Sequence, residues 1–274
     1  MSAACTIAAK KVGSRYFLLK NRDLTYPDFQ DQIIFDPGIF AVKGVHIGAG
    51  VDIGVSIGVN RHGLAGCSAT VLANEDLPYD ILLERILRET KNIGSAYQLI
   101  ENEIAVGHQY QWCNFVLASP ESVAAIEIGE RISIIEENPE MITRTNHHLK
   151  LGTTERIKAA RPEEREAAGS LHTSQARRQT ASKMLSSAVT LGDMIEILSN
   201  HSKSRGFDSI CRHWSSDPSN QFLGETACSY ILEVSNDVSS GLDMRFHTCS
   251  GNPCSSTYKE TVVDFDAKES KDKS

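Results

Sequence analysis

Residues 5–23 read CTIAAKKVGSRYFLLKNRD. Two apolar runs stand on either side of a Gly-Ser pair, a pattern that predicts a β-hairpin. The hairpin would place Cys5, at the start of one strand, beside Lys20, Arg22 and Asp23 at the far end of its partner. A thiol, two cations and a carboxylate would then meet at one end of a sheet, and such surroundings suit an activated cysteine.

Cys5 would gain a base of its own if the bond between Ala4 and Cys5 were cleaved. An α-amino group titrates at about 7.7–8.0 and a free thiol at about 8.5, so the new amine could accept the thiol proton at neutral pH. One residue would then serve as nucleophile and general base. The competing interpretation, from position alone, is that Cys5 is a small apolar residue of a buried strand.

Three other polar residues are candidates, each with a simpler structural explanation. Asp23 could accept hydrogen bonds from an amine at Cys5 or cap a turn. Asn146 could donate its amide to a developing oxyanion or sit in a turn. Arg177, near the start of a predicted helix, is most simply a surface charge when taken alone.

Composition limits the classes of partner and compartment. The 274 residues carry a net charge of −7, which argues against nucleic acid or an anionic membrane as the main partner. No apolar run approaches the ~20 residues that cross a bilayer. The N-terminus has lysines where a signal peptide has its apolar core, so a cytoplasmic protein is expected. The seven cysteines show no disulfide framework, in agreement with that compartment.

The order of predicted elements is strands, a helix pair, strands, a second helix pair and strands. It predicts a layered α+β architecture of two stacked sheets with helices outside. Residues 24–42 are predicted to be a loop followed by a short strand, and Ser174 is predicted to be the N-cap of a helix. We expect one domain over residues 5–265, a short leader over 1–4 and a disordered polar tail over 266–274.

Metal and cofactor motifs are weak in this chain. The candidates for metal ligation are His147-His148, Cys211-Arg212-His213 and Cys249 with Cys254. None of them has the Cys-x-x-Cys or His-x-x-x-His spacing that fixes two ligands on one ion. The Gly48-Ala49-Gly50 run has no helix after it, so it does not predict a nucleotide site. We therefore expect neither a metal nor an organic cofactor.

Several short motifs, in this order and spacing, resemble the N-terminal nucleophile hydrolases. They are Cys5-Thr6, Lys20-Asn21-Arg22-Asp23, Gly58-Val59-Asn60 with Gly63-Leu64, Arg144-Thr145-Asn146-His147, Ser174-Gln175-Ala176-Arg177 and the stretch from Phe246 to Cys254. The most similar branch is the acyl-coenzyme A:6-aminopenicillanic acid acyltransferase type (peptidase family C45), to which bile salt hydrolase and penicillin V acylase are related.

The resemblance implies a four-layer αββα fold and a set of site residues. Cys5 would be the nucleophile after removal of residues 1–4, and Asp23 would orient its amine. Asn146 would supply one oxyanion donor and the backbone N–H of Thr70 the other. Arg177 would lie near the cysteine. Either Lys20 or Arg22 would supply a positive charge at the thiol.

The predicted function is that of a cysteine amidohydrolase or acyltransferase. It would cleave or transfer the acyl group of a small non-peptide amide or N-acyl compound through a thioester on Cys5, after autoproteolysis at Ala4–Cys5. Two alternatives remain open: a cysteine dipeptidase of the related type, and a non-catalytic binding or trafficking protein on the same fold. A homo-oligomer is possible on this evidence.

Overall fold

The N-terminal hairpin forms as its sequence predicts. The computed structural model describes residues 4–24, 29–46, 51–159, 171–203, 205–213, 225–237 and 241–267. Strands β1 (Ala4–Val12) and β2 (Arg15–Leu24) pair antiparallel, with Cys5 opposite Arg22. Gly13 closes the turn at a φ of 62°, a conformation that glycine adopts without steric cost. The register therefore places Cys5 at the end of the sheet where Lys20, Arg22 and Asp23 lie.

Two antiparallel sheets form the centre of the molecule. The first has the strand order β10-β1-β2-β11-β12-β13 and the second runs β3 to β9 in chain order. The remaining strands are β3 (Phe29–Phe35), β4 (Ile39–His46), β5 (Val51–Asn60), β6 (Ala65–Leu72), β7 (Trp112–Ala118), β8 (Val123–Gly129), β9 (Ile132–Asn138), β10 (Met141–Arg144), β11 (Glu225–Asp237), β12 (Gly241–Ser250) and β13 (Lys259–Val262).

Helices cover the outer faces of both sheets. Those of the described residues are α1 (Tyr79–Glu89), α2 (Ile93–Ala105), α3 (Thr154–Ala159), α4 (Leu171–Ser187) and α5 (Leu191–Leu198). One apolar core fills the space between the sheets, a second joins α1 and α2 to the second sheet, and a third joins α4 and α5 to the first. Three cores between four layers are the αββα architecture, so the predicted fold class is confirmed.

Two local predictions were wrong. Residues 29–35 and 39–46 form paired strands, where the sequence suggested a loop and one short strand. Ser174 lies inside α4, buried, and not at its N-cap, because its hydroxyl bonds to a distant segment of the chain. The glycine run at 47–50, most of the leader (residues 1–3) and most of the tail (268–274) lie outside the described residues.

Membrane insertion through a helix finds no support in the described part of the chain. None of its helices is both long and apolar enough to cross a bilayer.

Candidate active site

Cys5 lies at one end of the space between the sheets. Its residue is 2% exposed, and its side chain belongs to the core that joins the two sheets. Because side chains alternate along a strand, Lys20 and Arg22 share this inner face, whereas Thr6 and Asp23 point toward the helices. The Cys5 backbone N–H donates to Asn146 Oδ1 at 3.2 Å. The hydrogen bond to Asn146 thus holds the backbone of Cys5, while its thiol faces the space between the sheets.

Arg177 joins helix α4 to the nucleophile candidate. One terminal nitrogen donates to the Cys5 carbonyl at 2.8 Å and to Thr6 Oγ1 at 3.2 Å. The other donates to Asn146 Oδ1 at 2.7 Å. Burial, together with the nearby Arg212 charge, lowers the pKa of Arg177 to about 10, so the guanidinium is charged at neutral pH. Arg177 is therefore a buried positioning group, not the surface charge that its sequence neighbours alone suggest.

Asn146 is fixed from three sides, just beyond the end of β10. Its backbone N–H donates to Ser174 Oγ at 2.9 Å, and its side-chain Nδ2 donates to the Thr70 carbonyl at 2.8 Å. Its Oδ1 accepts from Cys5 and Arg177 as described. Thr70, on β6, thus meets Asn146 through its carbonyl, whereas the family resemblance predicts a role for its N–H.

Lys20 projects into the same inner space and is held by the second sheet. Its Nζ donates to the carbonyls of Ser56 at 3.0 Å and Ser68 at 2.8 Å, and to Ser68 Oγ at 3.2 Å. Ser68 Oγ in turn donates to Asp80 Oδ1 at 2.6 Å, at the start of α1. The network gives the ammonium a fixed place in a buried setting, where its charge acts strongly on its neighbours.

Arg22 has different partners from those of Lys20. It forms an ion pair with Asp31 on β3, and the Tyr230 hydroxyl donates to the same carboxylate. Arg22 also lies directly over Gly44, where a Cβ would come within 2.5 Å of its guanidinium. The two cations that the sequence left as alternatives are therefore held by different groups.

The surroundings of Cys5 disfavour its thiolate in the intact chain. Burial raises the pKa of the Cys5 thiol above its ordinary value. Lys20 opposes this effect most strongly, Asp23 adds to it, and Arg22 lowers the pKa to a smaller extent. The thiol of the intact chain is therefore protonated at neutral pH and needs a base to react.

Asp23 lies opposite Ala4, on the helix-facing side of the hairpin. Its Oδ1 accepts from Thr226 Oγ1 at 2.6 Å, and its Oδ2 lies 3.5 Å from a terminal nitrogen of Arg212. The Arg212 guanidinium stacks over the Phe207 ring at 4.2 Å. Oδ2 accepts no hydrogen bond from the described residues, and its charged neighbour is the Arg212 guanidinium.

The structure brings the predicted residues together at one end of the sheet, and it adds several residues there that the sequence did not single out. The sequence predicts Ser174 as a helix cap, and it marks Arg212 only as a neighbour of candidate metal ligands. The pairing of Ser68 with Asp80 had no motif at all. These groups come from distant parts of the chain, so local patterns could not show that they meet.

Comparisons with known proteins identify the family. The family described as acyl-coenzyme A:6-aminopenicillanic acid acyl-transferase matches residues 10–221, a range that begins after Cys5. No curated protein matches the chain. The solved structure of penicillin V acylase from Agrobacterium tumefaciens is similar in fold, with 9% identity, a TM-score of 0.53, and coverage of 95% of this chain and 86% of that one. The predicted resemblance is thereby confirmed. The chain belongs to the acyl-coenzyme A:6-aminopenicillanic acid acyltransferase family and is an enzyme of the N-terminal nucleophile acyltransferase or hydrolase kind.

Proposed function

We propose that this enzyme transfers the acyl group of a small amide or N-acyl compound to Cys5 and then to water or an amine. The observation that carries the proposal is a set of three hydrogen bonds around Cys5. Asn146 Oδ1 accepts from the Cys5 N–H at 3.2 Å, and Arg177 binds both the Cys5 carbonyl and Asn146. Cys5 is the second residue of β1. Its backbone is held by Arg177 on α4 and by Asn146 just beyond β10.

The thiol becomes reactive through release of its own amine. In the intact chain Cys5 Sγ attacks the Ala4 carbonyl carbon, the peptide C–N bond breaks, and the nitrogen leaves as the Cys5 α-amine after taking a proton. Water then hydrolyses the resulting thioester, which frees the carboxylate of Ala4 and regenerates the thiol. The free amine can accept the thiol proton, and the Lys20 charge favours the thiolate. Asp23 Oδ2 is the acceptor that we assign to this amine.

Catalysis would follow the same chemistry on a substrate amide. The Cys5 thiolate attacks the carbonyl carbon, and Asn146 Nδ2, the side-chain amide held beside Cys5, is the donor that we assign to the developing oxyanion. The C–N bond then breaks, the amine leaves with the proton held by the Cys5 α-amine, and a thioester remains. Water or an acceptor amine attacks this thioester and restores Cys5.

The substrate class rests on the family. Its description names an acyl-coenzyme A and 6-aminopenicillanic acid, and the structural neighbour is a penicillin V acylase. We therefore propose a small-molecule N-acyl substrate with a C–N bond outside a protein chain.

Intact-mass measurement of the purified full-length protein tests the nucleophile. We expect a chain that begins at Cys5, and one acyl adduct per chain after brief mixing with an acyl thioester such as an acyl-coenzyme A. Cys5→Ala should keep the bond between Ala4 and residue 5 and form no adduct. Cys113→Ala is the matched control, since this buried thiol lies in the core between the second sheet and its helices.

The outcomes separate the candidate functions. Turnover of N-acyl amino acids or acyl thioesters by the wild type and Cys113→Ala, but not by Cys5→Ala, supports the proposal. An active Cys5→Ala enzyme would overturn it. Release of amino acids from dipeptides alone would move the function to the dipeptidase alternative.

A further inference from the structure

Four thiol and imidazole side chains meet outside the active site. The ligand atoms of His201, Cys211, His213 and Cys254 all lie within 4.8 Å of one another. His213 Nε2 is at the centre of the cluster, 2.9 Å from His201 Nε2, 3.3 Å from Cys254 Sγ and 3.8 Å from Cys211 Sγ.

The spacing fits a tetrahedral Cys2His2 site. With Zn–N of about 2.0–2.1 Å and Zn–S of about 2.3 Å, a tetrahedral zinc ion places two nitrogens about 3.3 Å apart and a nitrogen and a sulfur about 3.5 Å apart. The three distances at His213 Nε2 lie within about 0.4 Å of these values. Two thiolates and two imidazoles suit Zn²⁺ better than Mg²⁺ or Ca²⁺, which prefer oxygen.

The backbone around the cluster is already fixed by hydrogen bonds. His201 follows the end of α5, Cys211 and His213 lie between α5 and β11 in the chain, and Cys254 lies in the turn after β12. The Cys211 N–H donates to the Asn200 carbonyl at 2.8 Å, and Asn252 Nδ2 donates to the Arg212 carbonyl at 2.7 Å. Three separate segments are thus held at the spacing of the ligands.

We propose that His201, Cys211, His213 and Cys254 bind one Zn²⁺ ion in a closed, structural site. Four protein ligands leave no open position for a substrate, so the ion would stabilise the fold and not take part in the reaction. Arg212 lies between two of the ligands, and its guanidinium is 3.5 Å from Asp23. The ion would therefore also fix the loop that holds Arg212 beside the hairpin. The proposal stands independently of the proposed function.

This site escaped prediction because its ligands do not follow a metal-binding spacing. Cys211 and His213 are separated by one residue, and the other two ligands come from distant segments. The sequence analysis named Cys211, His213 and Cys254 as candidates but predicted no metal, and the fold adds His201 and brings the four side chains together.

Metal analysis of the untagged full-length protein, produced with zinc in the medium, tests the proposal. We expect one Zn²⁺ per chain in the wild type and at least a fivefold lower content in Cys254→Ser and His201→Gln. Cys228→Ser and His62→Gln are matched controls, since these residues lie outside the cluster, and both should keep one ion. Removal of the ion with a chelator should lower the unfolding temperature of the wild type and leave that of Cys254→Ser unchanged.

Cobalt supplies a second readout that does not depend on stability. Co²⁺ added to the chelated wild type should give sulfur-to-cobalt charge-transfer bands and the visible bands of a tetrahedral ion, and both should be lost in Cys254→Ser. Zinc content that is equal in all variants would overturn the proposal. So would a wild type that binds neither ion, including one in which Cys211 and Cys254 are found joined as a disulfide.

Discussion

At the scale of single residues, the surroundings of Cys5 disfavour its thiolate in the intact chain. Burial raises the pKa of the thiol, and the Asp23 charge adds to that effect. The Lys20 ammonium, fixed by Ser56 and Ser68, is the strongest opposing charge. A cysteine in such a setting has little thiolate at neutral pH, so a base created by cleavage at the same residue would explain how it is activated.

His147 predicts a pH dependence of stability. Its Nδ1 lies 2.8 Å from Ser174 Oγ, and burial, with Arg178 and Arg177 nearby, lowers its pKa to about 4. The unfolded side chain binds a proton below about 6.5, where the native one does not. His147 should therefore have no effect on the pH dependence of the free energy of unfolding above about pH 7, and it should lower that free energy as the pH drops toward 4, by on the order of 2 kcal/mol at pH 4.5.

Urea unfolding at pH 7.5 and pH 4.5 measures this contribution. In His147→Gln the loss of stability between the two pH values should be smaller than in the wild type by that amount. His172→Gln, an exposed position on the same helix α4, is the control and should lose as much as the wild type. An equal loss in all three proteins would show that His147 titrates normally.

At the scale of elements, sequence patterns predicted the strands and helices that local residues determine. They failed where contacts with distant segments determine the position of a residue. The apolar runs on either side of Gly13 gave the hairpin, and the helix pairs followed from their spacing. Ser174 is a good cap by type, yet it lies within α4 because its hydroxyl is the acceptor for the Asn146 N–H. The position of Asn146 between Cys5, Thr70 and Arg177 depends on three elements at once, so no window of sequence contains it.

The contact between β5 and α1 gives a prediction for Gly54. This glycine has a φ of 91°, and a Cβ there would lie 2.5 Å from the backbone of Asp80 and Ile81. Gly54→Ala should lower the free energy of unfolding by about 3 kcal/mol or more, because both the backbone strain and the clash with the first turn of α1 must be relieved. That turn carries Asp80, the partner of Ser68, so the Lys20 network should shift with it.

Gly94→Ala is the comparison for this substitution. Gly94 lies in the first turn of α2 with open surroundings, the nearest atom being 3.6 Å from an added Cβ. Alanine favours helix, so this variant should match the wild type or gain up to about 1 kcal/mol. Denaturant titration of both variants checks the pair, and a Gly54→Ala protein as stable as Gly94→Ala would mean that β5 and α1 are not in close contact.

At the scale of the whole molecule, the sandwich depends on the core between the two sheets. This core draws on strands of both sheets, so neither sheet can bury its inner face alone. Aromatic rings concentrate where the sheets meet, and Phe35, Phe40, Phe246 and Phe265 pack edge to face. The two sheets should therefore unfold as one unit.

A double-mutant cycle across this core measures the coupling of the sheets. Phe40, on β4 of the second sheet, and Phe246, on β12 of the first, have ring centroids 5.2 Å apart at an interplanar angle of 68°. Phe40→Leu and Phe246→Leu should show an interaction energy of about 0.5–1.5 kcal/mol in urea unfolding, with a single transition in every variant. The control cycle pairs Phe40→Leu with Leu185→Ala. Leu185 lies in the core between the first sheet and its helices, so the two losses of unfolding free energy should add within about 0.5 kcal/mol. Additive phenylalanine variants, or two separate transitions, would mean that the two sheets are stabilised independently.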